Sequence, residues 1–497
     1  MGRPARAGLV STALFASGCA QIAGIDITTQ ADEPAMASLE LYRMSIGATL
    51  TTAPLDLTNL TATYLVANPD AADGLDRIPA IVDPKGTNRW IAEVPDGTSP
   101  PVMFTLPDYP EPRTRIWSLP TPTLRGAFGI YEHPNPQPAI DPATLTVQAT
   151  LPTPYAATES FQLLVVGTWN ARSFTGATEI PDVGANAFGP VSFAYTTTTR
   201  QTNRPFEAIT TADSTLLLRY VGTRLTGVME GTPFDQTSMD TVSGTMSAVA
   251  ATETLTATLN NMTVAARYTP LRPAMPAPTM SWSLVAAPGF ASASLNGPRL
   301  NSASVLAADP SEISVSYGNP FVAKGWQTAF SWTTGSTRQY TPPGAPGPIT
   351  LNAGLSQYVM PSGDMTMVLP AGLPELIQLD EQPLSTDGIM IDKPIKALKA
   401  SFTVPPSPAN TLYQMTLYEL VPNAAGTGLE HKNVLSMTSA SSDDFLIPAA
   451  FFESGKYYTL RAQTIAGGYP NLAEGDLQTR ELPMATGYMD SGVVVVN

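Results

Sequence analysis

Cysteine, histidine and charge are all scarce in this chain of 497 residues. With one cysteine, Cys19, no intramolecular disulfide can form, so an exported chain of this size must rest on core burial alone. One thiol also cannot build a thiolate metal centre. The two histidines, His133 and His431, sit in the polar contexts Tyr131-Glu132-His133-Pro134 and Leu429-Glu430-His431-Lys432, without the His-x-x-x-His spacing of a helical metal pair. Charged residues are only 13% of the chain, about half the usual share. The net charge is −15, and no basic run is longer than the Lys393 to Lys399 region. That balance argues against nucleic acid as a partner and against electrostatic attraction to an anionic membrane.

Catalytic signatures are missing in the same way. There is no Walker loop, no dinucleotide fingerprint opening a helix and no Gly-x-Ser-x-Gly elbow. A Ser-His-Asp triad assembles in space rather than in sequence, but nothing selects one serine among so many. Nor can a pair of glycosidase carboxylates be chosen from 41 acidic residues without geometry.

What the chain does contain is 43% hydrophobic residues, 48 Pro, 37 Gly, and Ser, Thr and Asn in place of the missing charge. This composition suits many short strands joined by tight turns. The expected class is all-β, as tandem β-sandwich domains. A chain of this length holds about three or four domains.

The strand pattern begins at Ala37 and includes Leu60 to Val66, Trp90 to Val94 and Val102 to Leu106, punctuated by Asn68-Pro69-Asp70 and Pro95-Asp96-Gly97. A first sandwich is placed at 37–142, ending in proline-rich crossovers. A β-rich region at 143–278 holds the buried strand Phe161 to Val166 and a hairpin turning at Val221-Gly222-Thr223. A further β-rich region at 279–383 is either separate from that one or continuous with it. A last sandwich fills 384–497 and closes on Val493 to Val496.

Ahead of these, Arg3 and Arg6 precede the apolar stretch Ala7 to Ala16 and then Ser17-Gly18-Cys19. Basic, apolar and small-residue segments in that order make a secretory signal, over 1–18, too short to span a bilayer as a stable helix. Ala16-Ser17-Gly18-Cys19 resembles a bacterial lipobox, with Ala16 where leucine is more usual. The resemblance implies that Cys19 is diacylated, that 19–36 is a flexible tether, and that the protein contacts the membrane through its N-terminal lipid. Ala20 after the cysteine implies onward sorting to the outer membrane or cell surface. The alternative is ordinary cleavage, giving a periplasmic or secreted protein.

At the other end, Phe452-Glu453-Ser454-Gly455-Lys456-Tyr457-Tyr458 resembles the Leu-x-Pro-Gly-x-x-Tyr of fibronectin type III and immunoglobulin-like modules, with Ser454 in place of proline. The resemblance implies that Tyr458 is a tyrosine-corner residue, ring in the core and hydroxyl bonded to upstream backbone. It also puts Phe402 where the family's buried tryptophan stands. Such modules are spacers and binding surfaces.

Two candidate sites remain. Asp70, Asp73 and Asp76, in a turn permitted by Gly74, offer calcium several oxygens, although the spacing is not that of an EF-hand and a solvated turn prefers the same residues. Of the six tryptophans, Trp326 in Lys324-Gly325-Trp326-Gln327 is the expected exposed aromatic for glycan stacking; the others read as core anchors. No cofactor other than calcium is implied. The functional expectation is a non-enzymatic, lipid-anchored envelope protein with a structural, adhesive or binding role, its partner an envelope protein or a glycan. A carbohydrate-active or other hydrolase, and an envelope-assembly component pairing through a sheet edge, are the alternatives.

Overall fold

A computed structural model describes residues 35–46, 50–95, 98–106, 113–128, 143–166, 170–195, 214–232, 240–260, 266, 268, 278–290, 297–305, 311–367, 372–384, 388–404, 410–440 and 444–497. Regular structure there is almost entirely β, built as four successive sandwiches. In the first, the sheet of Ala35–Ile46, Arg89–Val94 and Thr123–Phe128 packs on the sheet of Ala62–Ala67, Val102–Leu106 and Arg113–Ser118. Trp90, Phe104 and Trp117 fill the space between, with ring centroids 6.0 and 5.3 Å apart along the series. Residues 35 and 36, expected in the tether, already belong to the first strand.

The second sandwich contradicts simple in–out alternation. Its strand Thr215–Val221 is buried on both faces up to Tyr220, and Glu159–Val165 is from Leu163 on. Leu163, Val165 and Leu217 point into the sandwich's own core, while Leu164, Leu216, Leu218 and Tyr220 enter a core shared with the third. That is why the sequence there reads as unbroken apolar runs. Gly222, at φ 60°, makes the expected turn.

Strand pairing groups the chain differently from the expected segments at two places. Glu253–Leu259, before the boundary drawn at 278, pairs with Ser311–Tyr317 and Asp364–Met367 beyond it. Glu375–Leu379, before the boundary at 383, pairs with Leu398–Thr403 in the last sandwich. Proline density marked surface crossings there, but a sandwich is closed by hydrogen bonds between strands distant in sequence.

The fourth sandwich has an immunoglobulin-like arrangement. Glu375–Leu379, Leu398–Thr403 and Asp444–Ile447 form one sheet, and Leu429–Ser439, Thr411–Pro422, Tyr457–Gly467 and Met484–Val496 the other, with Ile389–Ile391 added parallel to the last strand. The sandwiches do not end at their own edges. One 13-stranded sheet runs from the third through the fourth into the first. Ile349–Val359 pairs antiparallel with Met484–Val496, and Leu429–Ser439 pairs parallel with Arg113–Ser118. The excursion 468–483 adds Asp476–Leu477 to the first sandwich, parallel to Arg125 and Gly126.

Candidate functional site

The most elaborate polar constellation lies where the third and fourth sandwiches join. Met484–Val496 pairs with the third sandwich as far as Met489, and its last residues pair with Ile389–Ile391 instead. Asp490 stands at this change of partner and is 0% exposed. Its carboxylate accepts from Arg461 Nε at 2.6 Å and Nη2 at 3.0 Å, a two-pronged ion pair. It also accepts from the backbone N–H of Asn352 at 2.8 Å and the Asn352 amide at 3.1 Å. One buried carboxylate thus satisfies donors from two sandwiches at the point where the ladder stops supplying carbonyls.

The Asp490 carboxylate is fully buried, whereas the Arg461 side chain is 25% exposed. The Arg461 guanidinium lies 5.3 and 5.1 Å from the ring centroids of Tyr418 and Tyr488. Burial works against the charge on Arg461, but the hydrogen bonds and negative charge of Asp490 outweigh it and raise its pKa. His431, edge-on to Tyr418 at 5.0 Å, has its Nε2 3.9 Å from Asp490 Oδ2. Burial pushes its imidazole below the ordinary value, reinforced by Arg461 and only partly offset by Asp490. This is a clasp between strands: Asp490 and Arg461 are matched to each other and Asp490 to Asn352, while the buried Nε2 of His431 makes no hydrogen bond among the described residues. Asp490 escaped the sequence reading; its one signal is Asp490-Ser491-Gly492 interrupting an apolar strand just before Val493.

A second buried pair holds the second sandwich. Arg219, 2% exposed, donates to Glu159 at 2.6 Å and to the carbonyls of Thr153 and Pro154 at 2.9 and 3.0 Å.

The sequence-derived candidates fall in different places. Asp73 accepts from Arg77 at 2.5 Å, and that contact chiefly holds its carboxyl below the usual range. Asp76 accepts from Asn68 at 2.9 Å, and Asp70 is an exposed turn residue whose N–H donates to the Asn68 side chain. Among the described residues no three His, Cys, Asp or Glu side chains are grouped to hold a metal ion. Trp326 is not exposed: it is 2% accessible and stacks on Phe321 at 5.0 Å. Gly325, at φ 76°, turns the chain so that the indole enters the third sandwich, while the neighbouring Val322 stays outside. Cys19, His133 and Trp169 lie outside the described residues.

Tyr458 is 2% exposed, and its hydroxyl accepts the backbone N–H of Glu453 at 2.9 Å. Phe402 is 2% exposed and stacks parallel to Phe445 at 6.1 Å.

No protein-family model and no curated protein matches the chain. Among solved structures it is similar to native E. coli alpha-2-macroglobulin at 11% identity, over 94% of this chain and 28% of that one, with a TM-score of 0.14. The chain thus spans about a quarter of that protein's length. The N-terminal four immunoglobulin domains of Dscam1 isoform 6.9 give 7% identity over 94% and 98% of the two chains, with a TM-score of 0.13. At such scores the similarity does not reach the arrangement of the whole, and the architecture rests on the chain's own strand pairing.

Proposed function

We propose that this is a lipid-anchored protein of the bacterial cell envelope with a non-enzymatic structural or binding role. The observation that carries the anchor is Cys19: the chain's one thiol follows Ala16-Ser17-Gly18 after a basic and apolar leader. Acyl chains on that residue contribute about 0.8 kcal/mol per buried methylene, so several of them hold a protein durably at a membrane. Ala20 supports the outer membrane or cell surface as the destination. The non-enzymatic role is supported by the way Asp490, Arg461, Arg219 and Glu159 are committed to each other and to backbone groups.

The test is direct. In a bacterial host with lipoprotein processing, the full chain should take up labelled palmitate and partition into detergent, and Cys19→Ser should do neither. Labelling that persists in Cys19→Ser overturns the anchor. Release of reducing ends from any polysaccharide incubated with the purified protein would overturn the non-enzymatic reading.

A further inference from the structure

The strand Leu429–Ser439 brings His431 to the edge of the Asp490 clasp, where its Nε2 is buried without a hydrogen-bond partner. Asp490 Oδ2 is 3.9 Å away, too far for a hydrogen bond. That oxygen is already crowded. It accepts from Arg461 Nη2, from the Asn352 backbone N–H and from the Asn352 amide, while Oδ1 accepts from Arg461 Nε. A carboxylate oxygen has about two lone-pair sites, so these three donors more than fill Oδ2. A further donor can approach only by displacing one of them. Two of the three belong to Asn352, which adjoins Ala353, the end of the ladder between the third and fourth sandwiches.

His431 is the group here whose charge changes near neutral pH. Thr411–Pro422 brings Tyr418 edge-on to the imidazole, Tyr457–Gly467 brings Arg461, and Met484–Val496 brings Asp490 and Tyr488. Ile349–Val359 supplies Asn352, which does not titrate, and Arg113 of the first sandwich adds a positive charge near Tyr418. Burial raises both phenols, and Asp490 raises Arg461 against its burial, so all three keep their charge state between about pH 8 and pH 5. In its own strand, Glu430 and Lys432 are exposed and alternate to the opposite face. Shifted carboxylates elsewhere, such as Glu40, Glu179 and Asp476, lie below their ordinary values and titrate under this window.

We propose that His431 is an acid-sensitive trigger at the junction of the third and fourth sandwiches. Neutral, it leaves the clasp closed. Its side chain is 19% exposed, so a proton from solvent can reach it. The imidazolium carries an N–H on both nitrogens, and its Nε2–H donates to Asp490 Oδ2 in place of Asn352. His431, Arg461 and Asp490 all belong to the fourth sandwich, whereas Asn352 belongs to the third. Protonation therefore turns a clasp between two sandwiches into one within the fourth alone. Burial holds the imidazole below its ordinary value, so the proton favours the opened form. The junction is at full strength above about pH 6.5, where a histidine of an unfolded chain titrates, and weakens as pH falls through the folded-state value. The inference is independent of the anchor at Cys19.

The experiment is hydrogen exchange of the full chain at about pH 8 and pH 5, each rate divided by the intrinsic rate at that pH. Protection of the Asn352 amide, which donates to Asp490, should fall about tenfold or more on acidification, the scale of one lost hydrogen bond to a charged group. Leu217, buried in the second sandwich, should keep its protection. In the parent, imidazole signals of histidine-labelled protein, assigned with His133→Gln, should titrate with the same midpoint as Asn352 protection. His431→Phe keeps a ring against Tyr418 without a titrating nitrogen and should hold Asn352 equally protected at both pH values. His431→Gln should do the same, with thermal melts at the higher pH confirming that each variant is folded, and His133→Gln should behave as the parent. The proposal is overturned if acid leaves Asn352 protection unchanged or increases it, if Leu217 loses protection in step, if the two midpoints differ, or if a folded His431 variant responds as the parent does.

Discussion

Tyr458 shows how much one side chain settles in a sandwich without disulfides. Its ring fills the fourth core against Phe452, at 5.3 Å, and its hydroxyl receives the Glu453 N–H, which the single turn Ala449–Phe451 leaves without a strand partner. Tyr458→Phe keeps the ring and strands that donor. The expected loss is about 1 kcal/mol, read as a lower urea midpoint at unchanged slope. An unchanged midpoint would remove the tyrosine corner from the account. This residue was legible because a short spacing, Phe452 to Tyr458, encodes it. Trp326 was not, although its neighbours are polar: whether Gly325 turns an indole outward or inward depends on Phe321 waiting beneath. Asp490 was hidden for a similar reason, since half its ligands come from Asn352, far away in sequence.

At the level of elements, the excursion 468–483 matters most. Instead of a short turn between two neighbouring strands, it crosses to the first sandwich, buries Tyr469, Leu472 and Leu477 there, and adds a two-residue strand. Gly475 permits the approach. It has φ 79°, and its carbonyl accepts the Arg125 N–H at 2.9 Å. A Cβ on it would come within 2.4 Å of the Thr123 carbonyl oxygen. Gly475→Ala therefore meets both a left-handed backbone and a backbone clash, and should destabilise by more than about 1 kcal/mol. Faster hydrogen exchange at Arg125, whose N–H donates to the Gly475 carbonyl, is the expected signature. Unchanged exchange at Arg125 would show that the excursion does not hold the first sandwich. The strands themselves were largely readable from alternation and turn residues. Their partners were not, because a run such as Thr411–Pro422 carries no mark of which edge it will meet.

For the whole molecule, tandem sandwiches became one joined body. The core around Trp90 and Phe104 also contains Val285 and Ala329 of the third sandwich and Leu412 and Ile465 of the fourth. Separate domains open independently, but units sharing a core and a continuous sheet open together. Under rising denaturant, amides of Ala35–Ile46 and Ile349–Val359 should therefore become exchangeable at one common free energy of opening. Two distinct opening energies would mean that the shared sheet does not couple them. The sequence by itself determined the all-β class, the turn chemistry, the reliance on burial without disulfides and the Tyr458 corner, because each follows from local composition or short spacing. Only the tertiary structure decided that the third, fourth and first sandwiches lie in that order along one sheet, and that Asp490 clasps two of them. Edge pairing is made by backbone groups that every residue carries alike, so the pattern of side chains does not specify which edges meet.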